Sequence, residues 1–208
     1  MKAFIYTGGE IFPENITEKA KAGDLKIAAD GGYKNAMRLV ERVDIILGDF
    51  DSLDKYTADK DTEIIKVPAE KDFTDTQLAV ETAISRGADE IVIIGGLSGR
   101  LDHTMSNISI LEDLSTRRVH ALITDGNNRI RFVNSTSTLI AKSKYKYVSI
   151  LLASEKAKGV SAEGCKYPLK NAKLERNMQY AISNEIDGNC ALISVRKGAL
   201  YIIESRDA

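Results

Sequence analysis

Three acidic segments hold the chemistry this chain offers: Gly48-Asp49-Phe50-Asp51-Ser52, Lys71-Asp72-Phe73-Thr74-Asp75 and Arg100-Leu101-Asp102-His103. Each follows, or lies near, the end of an apolar strand-like run. Carboxylates gathered in this way need a positive partner. A divalent metal carrying a phosphorylated nucleotide supplies one. The chemistry then expected is phosphoryl or pyrophosphoryl transfer.

Each segment also has a plainer structural use. Asp49 and Asp51 stand at i and i+2 just past a strand, where both can converge on one cation or form an Asx turn and a helix cap. Asp72 and Asp75 precede a helix start, which attracts carboxylates for electrostatic reasons and phosphate for the same reason. Lys71 can offset phosphate charge. Gly95-Gly96-Leu97-Ser98-Gly99-Arg100 brings backbone N–H groups and a guanidinium fork to a strand exit. It is neither a dinucleotide fingerprint nor a P-loop, because its glycine spacing is wrong and no Gly-Lys-Ser/Thr closes it. Asp102 can hold a metal or orient Arg100. His103 has no cysteine or second histidine nearby for zinc and reads as a cap or a group behind the site. Asn107 is one turn later and faces the same way. Asp30-Gly31-Gly32 ends another strand and either binds a substrate group or turns the chain. Asp125 closes the sixth strand, beside a nucleoside or in a domain-joining turn.

Composition narrows the classes further. Lys plus Arg total 29 against 30 Asp plus Glu, so no positive field draws in nucleic acid. No apolar run approaches the ~18 residues of a membrane span. The N-terminus reads as a first strand, and the two cysteines, Cys165 and Cys190, read as a reduced cytoplasmic pair. No Ser-His-Asp or cysteine nucleophile is evident. That suits direct transfer, where positioning and charge compensation do most of the work.

The elements that must position these residues fall into two halves. Strands are expected at Lys2–Tyr6, Leu25–Ala29, Val43–Leu47, Glu63–Val67, Glu90–Ile94 and Val119–Thr124, with helices at Pro13–Ala22, Tyr33–Val40, Thr74–Arg86 and His103–Leu114. Thr74 is the expected N-cap, with Gln77 at capping-box spacing. Met105, Ile108, Leu111 and Leu114 are the expected packing face of the last helix. The remainder shows short β-branched runs, including Ala181–Ser183, and a hairpin signal at Lys197-Gly198. The fold class is therefore α/β. A mostly parallel Rossmann-like sheet flanked by helices occupies residues 1–130, and a small antiparallel β-sandwich occupies residues 131–208.

Taken in order, these motifs resemble the bacterial-type thiamine pyrophosphokinase family. Any one motif is weak, but the ordered set, one per strand end, is specific. The C-terminal resemblance is Gly159-Val160-Ser161-Ala162-Glu163-Gly164-Cys165-Lys166-Tyr167-Pro168-Leu169, followed by Ser183-Asn184. The family usually carries Leu where this chain has Cys165.

The resemblance implies a homodimer with shared active sites. In it an ATP- and Mg²⁺-binding α/β domain passes pyrophosphate to the hydroxyethyl group of thiamine, giving thiamine diphosphate and AMP. It implies Asp49, Asp51, Asp72 and Asp75 as the metal set, and Asp72, Arg100 and Asp102 as the catalytic group. Asp30, Gly31, Gly96, Arg100, His103, Asn107 and Asp125 fall to the substrate side. Tyr167 matches the thiamine-stacking position, and Ser183 and Asn184 match positions that hydrogen-bond the pyrimidine. A related nucleotide-dependent phosphotransferase for another small alcohol fits the N-terminal motifs alone. A non-catalytic nucleotide-binding protein explains the glycines but not the carboxylates.

Overall fold

The structure is a computed structural model that describes residues 1–40, 42–48, 60–68 and 72–207. Asp49, Asp51 and Lys71 lie outside the described residues. The chain forms two compact units, Met1–Gly126 and Asn127–Ala208.

In the first unit the strands are β1 (Lys2–Tyr6), β2 (Leu25–Ala29), β3 (Ile45–Gly48), β4 (Glu63–Lys66), β5 (Glu90–Ile94) and β6 (His120–Thr124). The helices are α1 (Gly32–Ala36), α2 (Asp75–Ser85) and α3 (Leu101–Thr116). The strands lie in the order β4-β3-β2-β1-β5-β6, and every neighbouring pair is parallel. The apolar β5 sits between β1 and β6, as a strand buried on both faces must. Alternate residues then serve opposite faces. Phe4, Tyr6, Ala28, Ile46, Val92 and Ile94 form one cluster with Ile11, Ile16 and Ala36. Ile5, Ile27, Ile45, Ile91 and Ile93 alternate with them and are also fully buried. Here α2 lies along β1, β2 and β3, and α3 lies along β6.

Two expectations fail in this unit. Pro13–Ala22 is not a helix but a turn at residues 13–15 followed by irregular chain. Its only deep anchor is Ile16, 4% exposed, too narrow an apolar stripe to seat a helix. Met105 is 60% exposed, so the buried face of α3 is Asn107, Ile110, Leu111 and Leu114. By contrast, Thr74 does cap α2, accepting from the Gln77 N–H at 3.2 Å, while the Gln77 amide turns to Glu81. Gly87 ends that helix at φ +89°.

The second unit is an antiparallel sandwich. Its strands are β7 (Asn128–Asn134), β8 (Ser137–Ala141), β9 (Tyr147–Leu152), β10 (Lys156–Glu163), β11 (Leu169–Glu175), β12 (Cys190–Ser194) and β13 (Ala199–Ser205). One layer runs β7-β13-β9 and the other β11-β10-β12-β8. Val133, Val148, Ile150, Leu200 and Ile202 of the first layer pack against Ile140, Val160, Ala162, Ala191 and Ile193 of the second. Cys165 is buried in the same core, and burial pushes its thiol pKa up. This is the expected fold class: a parallel α/β sheet followed by a small β-sandwich.

The Lys197-Gly198 turn is not a hairpin. It carries the chain from β12 in one layer to β13 in the other, and Gly198 adopts φ +113° to make the corner. Ala181–Ser183 is not a strand either, because Ser183 sits at φ +59°. The segment still lies beside β9, through Ile150 N–H to Ala181 O at 2.8 Å and Ser183 N–H to Ser149 Oγ at 2.9 Å.

Among the described residues no helix is long and apolar enough to cross a membrane.

Candidate active site

At the carboxyl ends of the parallel strands the first unit opens a cleft of about 650 Å³. Its wall includes Thr7, Gly8 and Gly9 after β1, Ala29 and Asp30 from the end of β2, and Thr74, Asp75 and Thr76 at the start of α2. Gly96, Ser98, Gly99, Arg100 and Asp102 follow β5, and His103, Ser106 and Asn107 come from α3. The position is the one a parallel sheet dictates, because every strand points the same way and every exit loop gathers at one edge.

Two helices begin at this cleft. The N-termini of α2 and α3 leave backbone N–H groups and partial positive charge at their first turns. Thr74 to Thr76 and Arg100 to His103 put both first turns on the wall. Such a wall suits an extended anion such as a polyphosphate.

Arg100 and Asp102 form a fork-to-fork pair, Nε to Oδ1 at 3.1 Å and Nη2 to Oδ2 at 2.5 Å. The Asp102 Oδ1 also accepts from the His103 N–H at 3.0 Å. The Arg100 hydrogen bonds hold the Asp102 carboxyl below the usual carboxylate range, and the same contact raises Arg100. Both side chains are exposed, so solvent screens the pair and an incoming phosphate can compete for the guanidinium. Asp102 therefore orients Arg100, one of the two roles open to it from sequence.

Glycines shape the floor. Gly96 takes φ +72°, and a Cβ there would stand 2.6 Å from Asn107 Nδ2 and 3.0 Å from Thr7 Oγ1. The contact exists because Asn107, 6% exposed, donates from Nδ2 to Gly96 O at 3.0 Å. Gly32 allows α1 to start against β1, where a Cβ would meet Tyr6 O at 2.0 Å. Asp30 is held at φ +45°, a conformation a non-glycine residue keeps only when its surroundings impose it. Its N–H bonds Leu47 O at 2.7 Å, which ties the β2 exit to β3.

Asp30, Asp75, Gly96, Arg100, Asp102, His103 and Asn107 thus converge on one cleft, as their positions at strand ends imply. Gly31 is the N-cap of α1 and does not line the cleft. Asp72 is exposed just before α2 and is also off the wall. Asp125 is buried, 5% exposed, and its carbonyl accepts from Phe12 N–H at 2.7 Å, so its backbone serves the chain turn. The metal assignment at Asp49 and Asp51 lies outside the described residues. Sequence reading missed Thr7-Gly8-Gly9 as a wall, although this turn follows a strand end just as Asp30-Gly31-Gly32 does.

In the second unit, Tyr167 and Asn184 meet directly. Tyr167 N–H donates to Asn184 Oδ1 at 3.0 Å, and Asn184 Nδ2 donates to Tyr167 O at 2.7 Å. Asn184 is fixed in turn by reciprocal backbone bonds with Val148. The left-handed turn at Ser183 precedes it. The Tyr167 ring is 62% exposed and carries the Lys166 ammonium 5.7 Å from its centroid. A face that already attracts one cation can take another.

A parallel α/β unit with this anion-suited cleft, followed by a sandwich bearing an exposed aromatic and amide pair, defines a two-unit transferase of phosphate chemistry. The family model "Thiamin pyrophosphokinase, catalytic domain" matches residues 16–123, and "Thiamin pyrophosphokinase, vitamin B1 binding domain" matches residues 136–200. The chain belongs to the thiamine pyrophosphokinase family. It is 30% identical over 203 residues to Thiamin pyrophosphokinase 1 of Caenorhabditis elegans, covering 92% of this chain and 82% of that protein. It is 33% identical over 165 residues to thiamine pyrophosphokinase of Bacillus subtilis (strain 168), covering 77% of each. The crystal structure of thiamine pyrophosphokinase from Bacillus subtilis superposes with a TM-score of 0.89 at 27% identity, over 100% of both chains. That of the enzyme from Geobacillus thermodenitrificans gives 0.86 at 28%, over 100% of this chain and 99% of the other.

Proposed function

We propose that this chain transfers the pyrophosphoryl group of ATP to the hydroxyethyl oxygen of thiamine, releasing AMP and thiamine diphosphate. One observation carries the reading: two helix N-termini and the Arg100 fork converge on a single strand-end cleft, within the stretch matched by the catalytic-domain model.

Asp30 and Asp75 on the cleft wall offer the hard oxygen donors that Mg²⁺ selects, and among the described residues no three carboxylates gather into a metal site. Asp49, Asp51, Asp72 and Asp75 are the residues that would hold the ion. When bound, Mg²⁺ neutralises charge on the polyphosphate.

The chain's own groups do the rest. The α2 and α3 first turns and Arg100 bind the phosphates and stabilise charge building on the leaving AMP. Asp102, kept ionised by Arg100, is a weak base and aims the guanidinium. Of the two carboxylates open to the task from sequence, Asp102 and Asp72, Asp102 is taken up by Arg100, so Asp72, just before α2, orients the thiamine hydroxyl for in-line attack. His103, Asn107 and Asp30 shape the nucleotide side, with Gly31 and Asp125 holding adjoining turns.

Residues 1–130 form the ATP and Mg²⁺ domain, and residues 131–208 form the thiamine and dimerisation domain. Tyr167 stacks on the cationic vitamin ring, and Ser183 and Asn184 bond its pyrimidine. Two chains form a homodimer with shared sites, working in the cytoplasm.

Product analysis tests this reading. With ATP, Mg²⁺ and thiamine, the expected products are AMP and thiamine diphosphate. Release of ADP and a thiamine monophosphate would replace pyrophosphoryl transfer by simple kinase chemistry.

A further inference from the structure

The strand exit after β1 is held from behind by one buried side chain. Asn35 of α1 is 6% exposed and does not line the cleft. Its Nδ2 donates to Thr7 O at 2.8 Å and to Gly9 O at 2.9 Å. The carbonyl between them, Gly8 O, accepts from Gly96 N–H at 3.0 Å. All three carbonyls of the turn are therefore engaged away from substrate. The Gly8 and Gly9 N–H groups, on a turn that lines the cleft, have no partner among the described residues.

This division has a consequence for charge. Carbonyl oxygens repel phosphate, and free backbone N–H groups attract it. A turn whose oxygens are tied back and whose amides are free presents its positive side. The bare contact of Gly32 with Tyr6 O brings α1 close enough for Asn35 to reach both carbonyls. Without the amide, two carbonyls lose their donor, and the turn is free to swing an oxygen towards the anion.

We propose that Asn35 is a positioning residue for the nucleotide, presetting the Thr7-Gly8-Gly9 turn so that its amides receive a phosphate oxygen. The inference rests on the reading of the cleft as an ATP site. It assigns Asn35 to ATP and not to thiamine.

The test compares Asn35→Ala and the near-isosteric Asn35→Asp with wild type, by equilibrium binding of ATP and by separate KM values for ATP and thiamine. Circular dichroism confirms that the variants are folded. For Asn35→Ala the ATP Kd and KM rise about tenfold, as for a lost buried hydrogen-bond donor, while the thiamine KM stays within about twofold. For Asn35→Asp the loss is larger at about pH 8, where a carboxylate faces two carbonyls. Relative to wild type it shrinks as pH falls, because burial against two carbonyl oxygens raises the carboxyl's pKa and the neutral form regains one donor. A folded variant pair whose ATP Kd is unchanged, or whose ATP and thiamine KM values shift equally, overturns the inference. Wild-type product analysis run alongside keeps the two readings apart. If the wild type forms no AMP, the functional reading falls and takes the inference with it. If it forms AMP while ATP binding ignores Asn35, the inference falls alone.

Discussion

Arg129 grips both carboxylate oxygens of Glu204, its register partner across β7 and β13, with Nε to Oε2 at 2.8 Å and Nη2 to Oε1 at 2.5 Å. Arg131 bonds the same carboxylate, and the Arg129 guanidinium stacks 4.7 Å from the Tyr145 ring centroid. Glu204 alternates inward with Leu200 and Ile202 on β13 and is 1% exposed. Strand periodicity thus drives a charge into the sandwich, and two arginines compensate it.

Removing Glu204 takes from the buried Arg129 the carboxylate it grips with two bonds. Glu204→Ala should lower unfolding stability by about 3–5 kcal/mol. Replacing Arg129 and Glu204 together by apolar residues of similar volume should cost much less. Urea unfolding of the single and double variants checks both, and a fully additive double variant would show that the pair is not coupled.

A second pair makes stability depend on pH. Arg117, after α3, holds Glu81 of α2 with bonds of 2.6 and 2.9 Å, and that contact lowers the Glu81 pKa below its ordinary 4.5. A depressed carboxylate stabilises the fold above its unfolded value, and the gain disappears as pH falls through the folded value. The pair is about one-third exposed, so it contributes about 0.2–1 kcal/mol after screening. Glu81→Gln should therefore lower the urea midpoint slightly at about pH 7 and converge on wild type only as pH falls through the lowered folded value of Glu81. A difference that persists in acid would assign the effect to packing.

Gly96→Ala tests the floor of the cleft. A Cβ 2.6 Å from Asn107 Nδ2, on a backbone at φ +72°, forces either the turn or the asparagine to move. Stability should fall by about 1–3 kcal/mol, and turnover should fall by at least about tenfold even in folded protein. Steady-state rates measured beside thermal unfolding separate the two effects.

The proposed shared sites predict complementation between subunits. Asp51→Asn and Tyr167→Ala homodimers should each be nearly inactive, and mixed dimers should recover part of the activity. Native mass spectrometry would establish that mixed dimers form. Their inactivity would place both groups of one site on a single chain.

Much of the fold was legible before any coordinates. Lys2–Tyr6, Leu25–Ala29 and Glu90–Ile94 keep the limits that their apolar runs and punctuation set. A strand is a local pattern, and so is a cap such as Thr74. The misjudged segments depend on what lies opposite. Pro13–Ala22 has a tolerable helix composition, but only Ile16 in it finds a deep seat, on the sheet. Lys197-Gly198 has hairpin chemistry, but its flanking strands pair in different layers.

The site divides along the same line. Residue types and their order were enough to bring Asp30, Asp75, Gly96, Arg100, Asp102, His103 and Asn107 to one cleft, because each stands in a strand-end turn or in the early turns of a helix that follows one, and strand ends meet in a parallel sheet. Tertiary structure alone decided that Asp102 is committed to Arg100 and that Asp125 is buried against the Phe12 segment. It also decided that Asn35, with no motif of its own, holds the β1 exit from behind. Such roles come from which carbonyl, guanidinium or backbone turn stands within hydrogen-bond reach. Distances of that kind are set by the packing of segments far apart in the chain and leave no local trace in residue order.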